Sequence, residues 1–227
     1  MKTNIGLLLA KRAQICPNRE AIIEFERNRR FTFAELNSRA NRIANALLEN
    51  GIRPGDRVVS LLKNSVEFVE TYFALAKIGA VFVPVNWRLV PAEIAFILGN
   101  SGSRALVYDS DFDDAVNTLH SSEYSELAVA LWLRRENGDA GTPDWARDYD
   151  TFAATAPMTE PPIGAWDDDK LFIMYTSGTT GRPKGAVHSH EGMLWSQLTS
   201  MSTSDMRDGD RWLLALPMFH VGCLNPT

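Results

Sequence analysis

Cysteine is nearly absent from these 227 residues: only Cys16 and Cys223 occur, far apart in the chain. Two thiols do not make a disulfide framework at this size, which makes a reducing, cytoplasmic setting the simpler expectation. An excess of positive charge is missing too. Lys and Arg total 23 against 28 Asp and Glu, a formal net charge of -5, so no general positive field exists to attract a nucleic acid. A local basic loop remains able to hold a small anion. Long apolar runs are also lacking. The early run Ile5-Gly-Leu-Leu-Leu-Ala10 is too short for a secretory core, and Lys77 and Pro84 interrupt the best later candidate, Ala74 to Val85, so no membrane span is expected.

What is present is an ordinary globular balance, 45% hydrophobic and 22% charged, long enough to bury a real core. Short apolar runs alternate with longer amphipathic ones, which predicts an α/β fold with mixed, largely parallel sheets flanked by helices. Thr32-Phe-Ala-Glu35 reads as a capping box, and Leu36, Ala40, Ile43, Ala44 and Leu47 follow at helical spacing up to Gly51. Arg57 to Leu62 reads as a buried strand. A helix is expected from Ser65 to Lys77, closed by Gly79. Ala80 to Val85 reads as a strand that ends at Pro84 or lies at an edge. Pro91 opens a third helix to Leu98, and Arg104 to Tyr108 gives another strand. Residues 1–133 form a first α/β subregion in this reading. From 134 to 169 turn signals dominate and apolar periodicity is weak, which suggests a surface connection, and 170–227 begins a second subregion.

The chemistry concentrates in Tyr175-Thr-Ser-Gly-Thr-Thr-Gly-Arg-Pro-Lys-Gly185, which follows the apolar strand Leu171 to Tyr175. Gly178 and Gly181 let the backbone turn and bring amide N–H groups close to an anion. Thr176, Ser177, Thr179 and Thr180 add uncharged hydroxyl donors. Lys184 supplies a compact cation, Arg182 offers a second, and Pro183 restricts the backbone between them. An ordinary P-loop would need Gly-Lys-Ser/Thr, and here Pro183 precedes the lysine and Gly185 follows it. Such composition also suits a flexible surface loop, but an apolar strand before it and a strand-like run after it favour a phosphate grip. Asp167-Asp-Asp169 reads as a solvated strand entry. His188 and His190 flank Ser189 and could face one way on a strand as metal ligands, but no third ligand is in sight, and Cys223 has no base at a recognisable spacing.

This loop resembles the signature of the adenylate-forming superfamily, which includes acyl-CoA synthetases, luciferases and peptide-synthetase adenylation domains. Asn64-Ser-Val-Glu-Phe with Ala74 to Leu89 is similar to that family's early motif, and Pro217-Met-Phe-His-Val-Gly222 to its aromatic–His motif. The wording is nearest the fatty-acyl-CoA ligase branch. The resemblance implies the first part of the large amino-terminal domain of such enzymes, acting on a fatty or other carboxylic acid with ATP, Mg2+ and coenzyme A. It places Thr176 to Lys184 on the β- and γ-phosphates, Thr176 beside the magnesium, His220 at the substrate carboxylate and Phe219 in the pocket wall. On spacing alone, a lone histidine in an apolar stretch such as His220 suits a core position better, and it is the resemblance that reverses this reading.

Family members are longer, and the parts supplying the adenine cleft, the ribose contact and the adenylation lysine are expected beyond Thr227. The chain alone is therefore expected to be inactive, and surface left uncovered by the cut is expected to promote self-association. A short, non-catalytic nucleotide-binding or scaffold protein is the alternative.

Overall fold

The structure, a computed structural model, describes residues 2–136, 141–176 and 182–224. Helix α1 (Gly6–Ile15) leads into the antiparallel pair β1 (Glu20–Glu24) and β2 (Arg29–Thr32). Thr32 then caps α2 (Phe33–Glu49). Its hydroxyl accepts from the Glu35 amide, and the Glu35 carboxylate accepts from the Thr32 amide at 2.8 Å. Gly51 follows with φ +87°, the left-handed turn that glycine adopts at least cost.

Alternating strands and helices come next: β3 (Arg57–Leu61), α3 (Val66–Ile78), β4 (Val81–Pro84), α4 (Pro91–Ser101) and β5 (Ala105–Asp109). Ser65 caps α3, Gly79 closes it, and Pro91 opens α4, which extends past Leu98 to Ser101. Strand β4 stops at Pro84 yet is central, with β3 and the later strand β8 (Lys170–Thr176) on its two sides. The proline's missing donor costs β3 no bond, because the next amide, Val85, donates to the Ser60 carbonyl at 3.0 Å. After α5 (Asp113–His120) come β6 (Leu131–Arg135), β7 (Arg147–Asp148) and α6 (Tyr149–Ala154). The final described elements are β9 (Lys184–Ser189), α7 (His190–Thr203) and the short α8 (Val221–Leu224).

One seven-stranded sheet runs in the order β7-β6-β5-β3-β4-β8-β9, parallel throughout except for the β8–β9 hairpin. Alternate strand residues feed two cores, as the pleat requires. Val58, Phe82, Ala105 and Val107 pack toward α1, α2, α3 and α6. Val59, Val83, Leu106 and Tyr108 pack toward α4 and α5. The stretch from 134 is more built than its turn-rich composition suggests. Arg134 and Arg135 are buried within β6, and Tyr149 of α6 is buried with its hydroxyl 2.8 Å from Thr71 Oγ1. Apolar periodicity is weak there because the buried residues are two arginines, Tyr149 and small alanines such as Ala146, Ala153 and Ala165.

Helix α3 is buried on every side, including its charges. Lys77 is fully buried, and its ammonium donates to Asn37 Oδ1, Asn41 Oδ1 and Glu160 Oε2 at 2.6 to 2.7 Å. Desolvation lowers its pKa against the pull of Glu160, while all three donors find acceptors. Nearby, Gly164 lies against the end of α3 so closely that an added Cβ would meet the Ile78 carbonyl oxygen at 1.8 Å.

The amino terminus is tied to the β9–α7 junction. Thr3 and Asp167 exchange two hydrogen bonds, and the Ile5 amide donates to His190 Nδ1 at 3.0 Å. The His190 ring is fully buried, and Nε2 has no partner among the described residues. Desolvation lowers its pKa to about 4, outweighing the opposite influence of Asp169 and Asp167.

Two outcomes follow from these buried groups. Lys77→Met strands Asn37, Asn41 and Glu160, and should lower unfolding free energy by roughly 3 kcal/mol in urea titrations with an unchanged m value. His190 should titrate near pH 4 by NMR. The unfolded chain binds a proton at this histidine below its ordinary value while the folded chain does not, so this contribution is complete above about pH 6.5. It is lost as pH falls toward 4, roughly 3 kcal/mol in all. His190→Gln should flatten stability against pH in that window.

Candidate functional site

The chemistry-bearing residues gather at the carboxyl edge of the parallel strands, where open α/β sheets place their ligands. Strands β8 and β9 form a hairpin in which Thr176 and Lys184 are direct register partners. Both are exposed, as is Arg182. Among the described residues, neither Arg182 nor Lys184 is paired with a carboxylate. Ser177, Gly178, Thr179, Thr180 and Gly181 lie outside the described residues. Two unpaired cations and a hydroxyl at one hairpin mouth suit a polyanion, since nothing has to be broken to receive it.

Register places the neighbouring wall. Phe82 of β4 stands opposite Phe172 of β8, so Thr176 lies level with the exit of β4 at Asn86 and Trp87. The Trp87 ring meets Phe219 edge to face at 6.3 Å, and the Arg88 guanidinium lies 4.3 Å from the Trp87 ring centre. Phe219 is buried, whereas the adjacent His220 is exposed, with ring centres 4.7 Å apart. His220 is thus no core histidine. Its solvent-facing ring beside a buried aromatic suits it to a polar group at the mouth of an apolar pocket.

A third strand end completes the edge. Asn64, just beyond β3, donates through Nδ2 to the carbonyls of Leu216 at 2.8 Å and Leu214 at 3.4 Å, and accepts from the Met218 amide at 2.8 Å. Behind it, the fully buried Asp109 accepts from the Lys63 amide at 2.8 Å and from the Arg135 guanidinium at 2.6 Å. Burial raises the Asp109 pKa, and Arg135 pulls it back. Arg135 also pairs with the buried Glu67 at 2.9 Å. Sequence reasoning quoted Asn64 and Trp87 only as motif letters and passed over Asp109 and Arg135. Charges inside strand runs carry no periodic signal, although Arg134-Arg135 ending an apolar strand calls for buried partners.

The other sequence candidates do not assemble into a metal site. The His188 ring stacks on Phe172 at 4.4 Å, and His190 begins α7 with its ring in the core. Asp167 and Asp169 accept from the Thr3 and Trp166 amides. Among the described residues no three His, Cys, Asp or Glu side chains gather in metal-binding geometry. A Mg2+ ion at the hairpin mouth would have the Thr176 hydroxyl and the ligand's own phosphate oxygens. A cavity of about 500 Å³ between α2 and α6, lined by Arg39, Glu70 and Tyr149, is lined by none of these edge residues. Another, of about 730 Å³, lies against Tyr175, Gly185 and Val187 on one flank of the hairpin.

The chain is similar to acyl-CoA ligases along nearly its whole length. The chain is 41% identical over 221 residues to the long-chain-fatty-acid–CoA ligase FadD13 of Mycobacterium tuberculosis, covering 97% of this chain and 42% of that protein. It is 34% identical over 220 residues to a feruloyl-CoA synthase of an Amycolatopsis species, covering 97% of this chain and 40% of that one. The inhibitor-bound crystal structure of the amino-terminal domain of FACL13 from Mycobacterium tuberculosis superposes with a TM-score of 0.90 at 40% identity, over 99% of this chain and 54% of that one. The chain therefore spans about two-fifths of the length of these curated relatives. Residues 9–226 match the model of the family described as AMP-binding enzyme, and the chain belongs to that family.

Proposed function

We propose that the chain is the amino-terminal part of an ATP-dependent acyl-CoA ligase, which joins a carboxylic acid to ATP as an acyl-adenylate and then passes the acyl group to the thiol of coenzyme A. The observation that carries this reading is the pairing of Thr176 with Lys184 at a hairpin mouth, beside an aromatic wall from Trp87 and Phe219. The names of the relatives favour a fatty or similar carboxylic acid as the substrate class, and the near absence of cysteine favours a cytoplasmic setting.

In this reading the amides of residues 177–181 cradle the β- and γ-phosphates. Lys184 and Arg182 neutralise charge as pyrophosphate departs, the moment at which the transition state carries most of it. Thr176 would help hold Mg2+, and the ion would supply further charge neutralisation there. His220 donates a hydrogen bond that orients the substrate carboxylate, and Phe219 forms part of the acyl wall. A carboxylate and a polyphosphate repel each other in water, so fixed donors on both sides are what bring them together.

Three results test this. Isothermal calorimetry should show magnesium pyrophosphate binding that weakens at least roughly tenfold in Lys184→Ala, the loss of one charge-assisted contact; equal affinities would contradict the assignment. The 227-residue chain should release no pyrophosphate steadily from ATP and a fatty acid, and steady release would refute its expected inactivity. Exposed Trp195, Trp212, Leu213 and Leu216 should drive self-association, which a monodisperse monomer in light scattering would contradict.

A further inference from the structure

We propose that Asn64 is a positioning residue for the carboxylic-acid pocket: its side chain sets the height at which the Pro217–His220 segment sits over the sheet edge. The inference rests on the reading of Phe219 and His220 as pocket residues. Its support is geometric. One carboxamide bridges about 150 residues of chain, satisfying two carbonyls before the segment and one amide within it. Residues 205–217 form no regular element, so the carbonyls of Leu214 and Leu216 have no strand or helix to satisfy them. An asparagine is the smallest side chain offering donors and an acceptor together. An aspartate would keep the acceptor for Met218 but place a charge against two carbonyl oxygens.

The bridge also has a rigid base. Asn64 sits one residue after Lys63, whose amide is held by the buried Asp109 carboxylate, and one residue before Ser65, whose hydroxyl caps α3 by accepting from the Phe68 amide at 3.2 Å. The turn is thus fixed on both sides, and the side chain projects from a point that cannot drift. What it holds is close to the pocket wall. Met218, whose amide it receives, precedes Phe219, and Phe219 bears on Trp87 at the end of β4. Releasing the bridge lets that aromatic contact loosen while leaving the hairpin of Thr176 and Lys184, which joins the sheet through β4, untouched.

This separates two binding partners that a general loss of structure would not. In Asn64→Ala, hydrogen exchange at the Met218 amide should accelerate roughly tenfold or more, and dodecanoate should bind roughly tenfold more weakly, the effect of losing its hydrogen bonds. Magnesium pyrophosphate affinity should change less than about twofold, because additivity holds for sites without shared partners. Asn64→Asp should retain part of the Met218 protection yet lose dodecanoate affinity. A Met218 amide as protected in Asn64→Ala as in the parent chain would overturn the bridge. Dodecanoate and pyrophosphate affinities falling together would reduce Asn64 to a structural role and overturn the positioning claim, as would unchanged dodecanoate affinity. If the parent chain binds pyrophosphate but no dodecanoate, the pocket reading fails and the substrate role of Asn64 with it, while Met218 exchange still reports the bridge on its own.

Discussion

The buried carboxylate of Asp109 organises the sheet edge on which the proposed site stands. It closes β5 at zero exposure, and an uncompensated charge there would cost several kcal/mol. Its two oxygens are therefore committed, one to Arg135 and one to the Lys63 amide. The first bond ties β5 to β6 and, through Arg135 and Glu67, to α3. The second fixes the turn that leaves β3. Three adjacent strand ends are thus locked relative to one another, and Asn64 extends the lock to a segment 152 to 154 residues later. Removing Arg135 should leave the buried carboxylate with only the Lys63 amide to compensate it, so the network is costly to break and holds its geometry.

Around that lock the molecule divides its work. The apolar layers on both faces hold the sheet, and α3 carries its own buried ions, with Arg39 on Glu70 and Lys77 on Asn37, Asn41 and Glu160. Burial pushes the Glu70 carboxyl up to about 7 against the pull of Arg39. These charges are fully partnered and sit away from the hairpin mouth. The cations at the mouth, Arg182 and Lys184, show the reverse arrangement: exposed, and without a carboxylate among the described residues. Partnered charges build the scaffold, and unpartnered ones remain available to a ligand.

Much of the fold was legible because local signals agreed with the global one. The Thr32–Glu35 box, Gly51, Gly79 and Pro91 each mark a boundary that the structure keeps. The region from 134 was less legible. Its strand ends in two arginines, and its helix buries Tyr149 through a hydroxyl contact, so hydropathy understates how much of it is interior. In the site, the loop's identity was plain from residue types, whereas its neighbours were not. His220 lies more than a hundred residues beyond Asn64 and Trp87, and its segment meets them only because β3 and β4 end at one edge. The spacing of His188 and His190 suggested a shared direction, but the switch from β9 to α7 at Ser189 sends one ring onto Phe172 and the other into the core.

In the proposed function this edge, and no other surface, receives the polyphosphate. An amide chemical-shift map of the chain titrated with magnesium pyrophosphate tests it most directly. The account predicts shifts confined to residues 176–185 and the exit of β4 near Trp87. Shifts centred on the groove between α2 and α6, or none at the hairpin mouth, would contradict it.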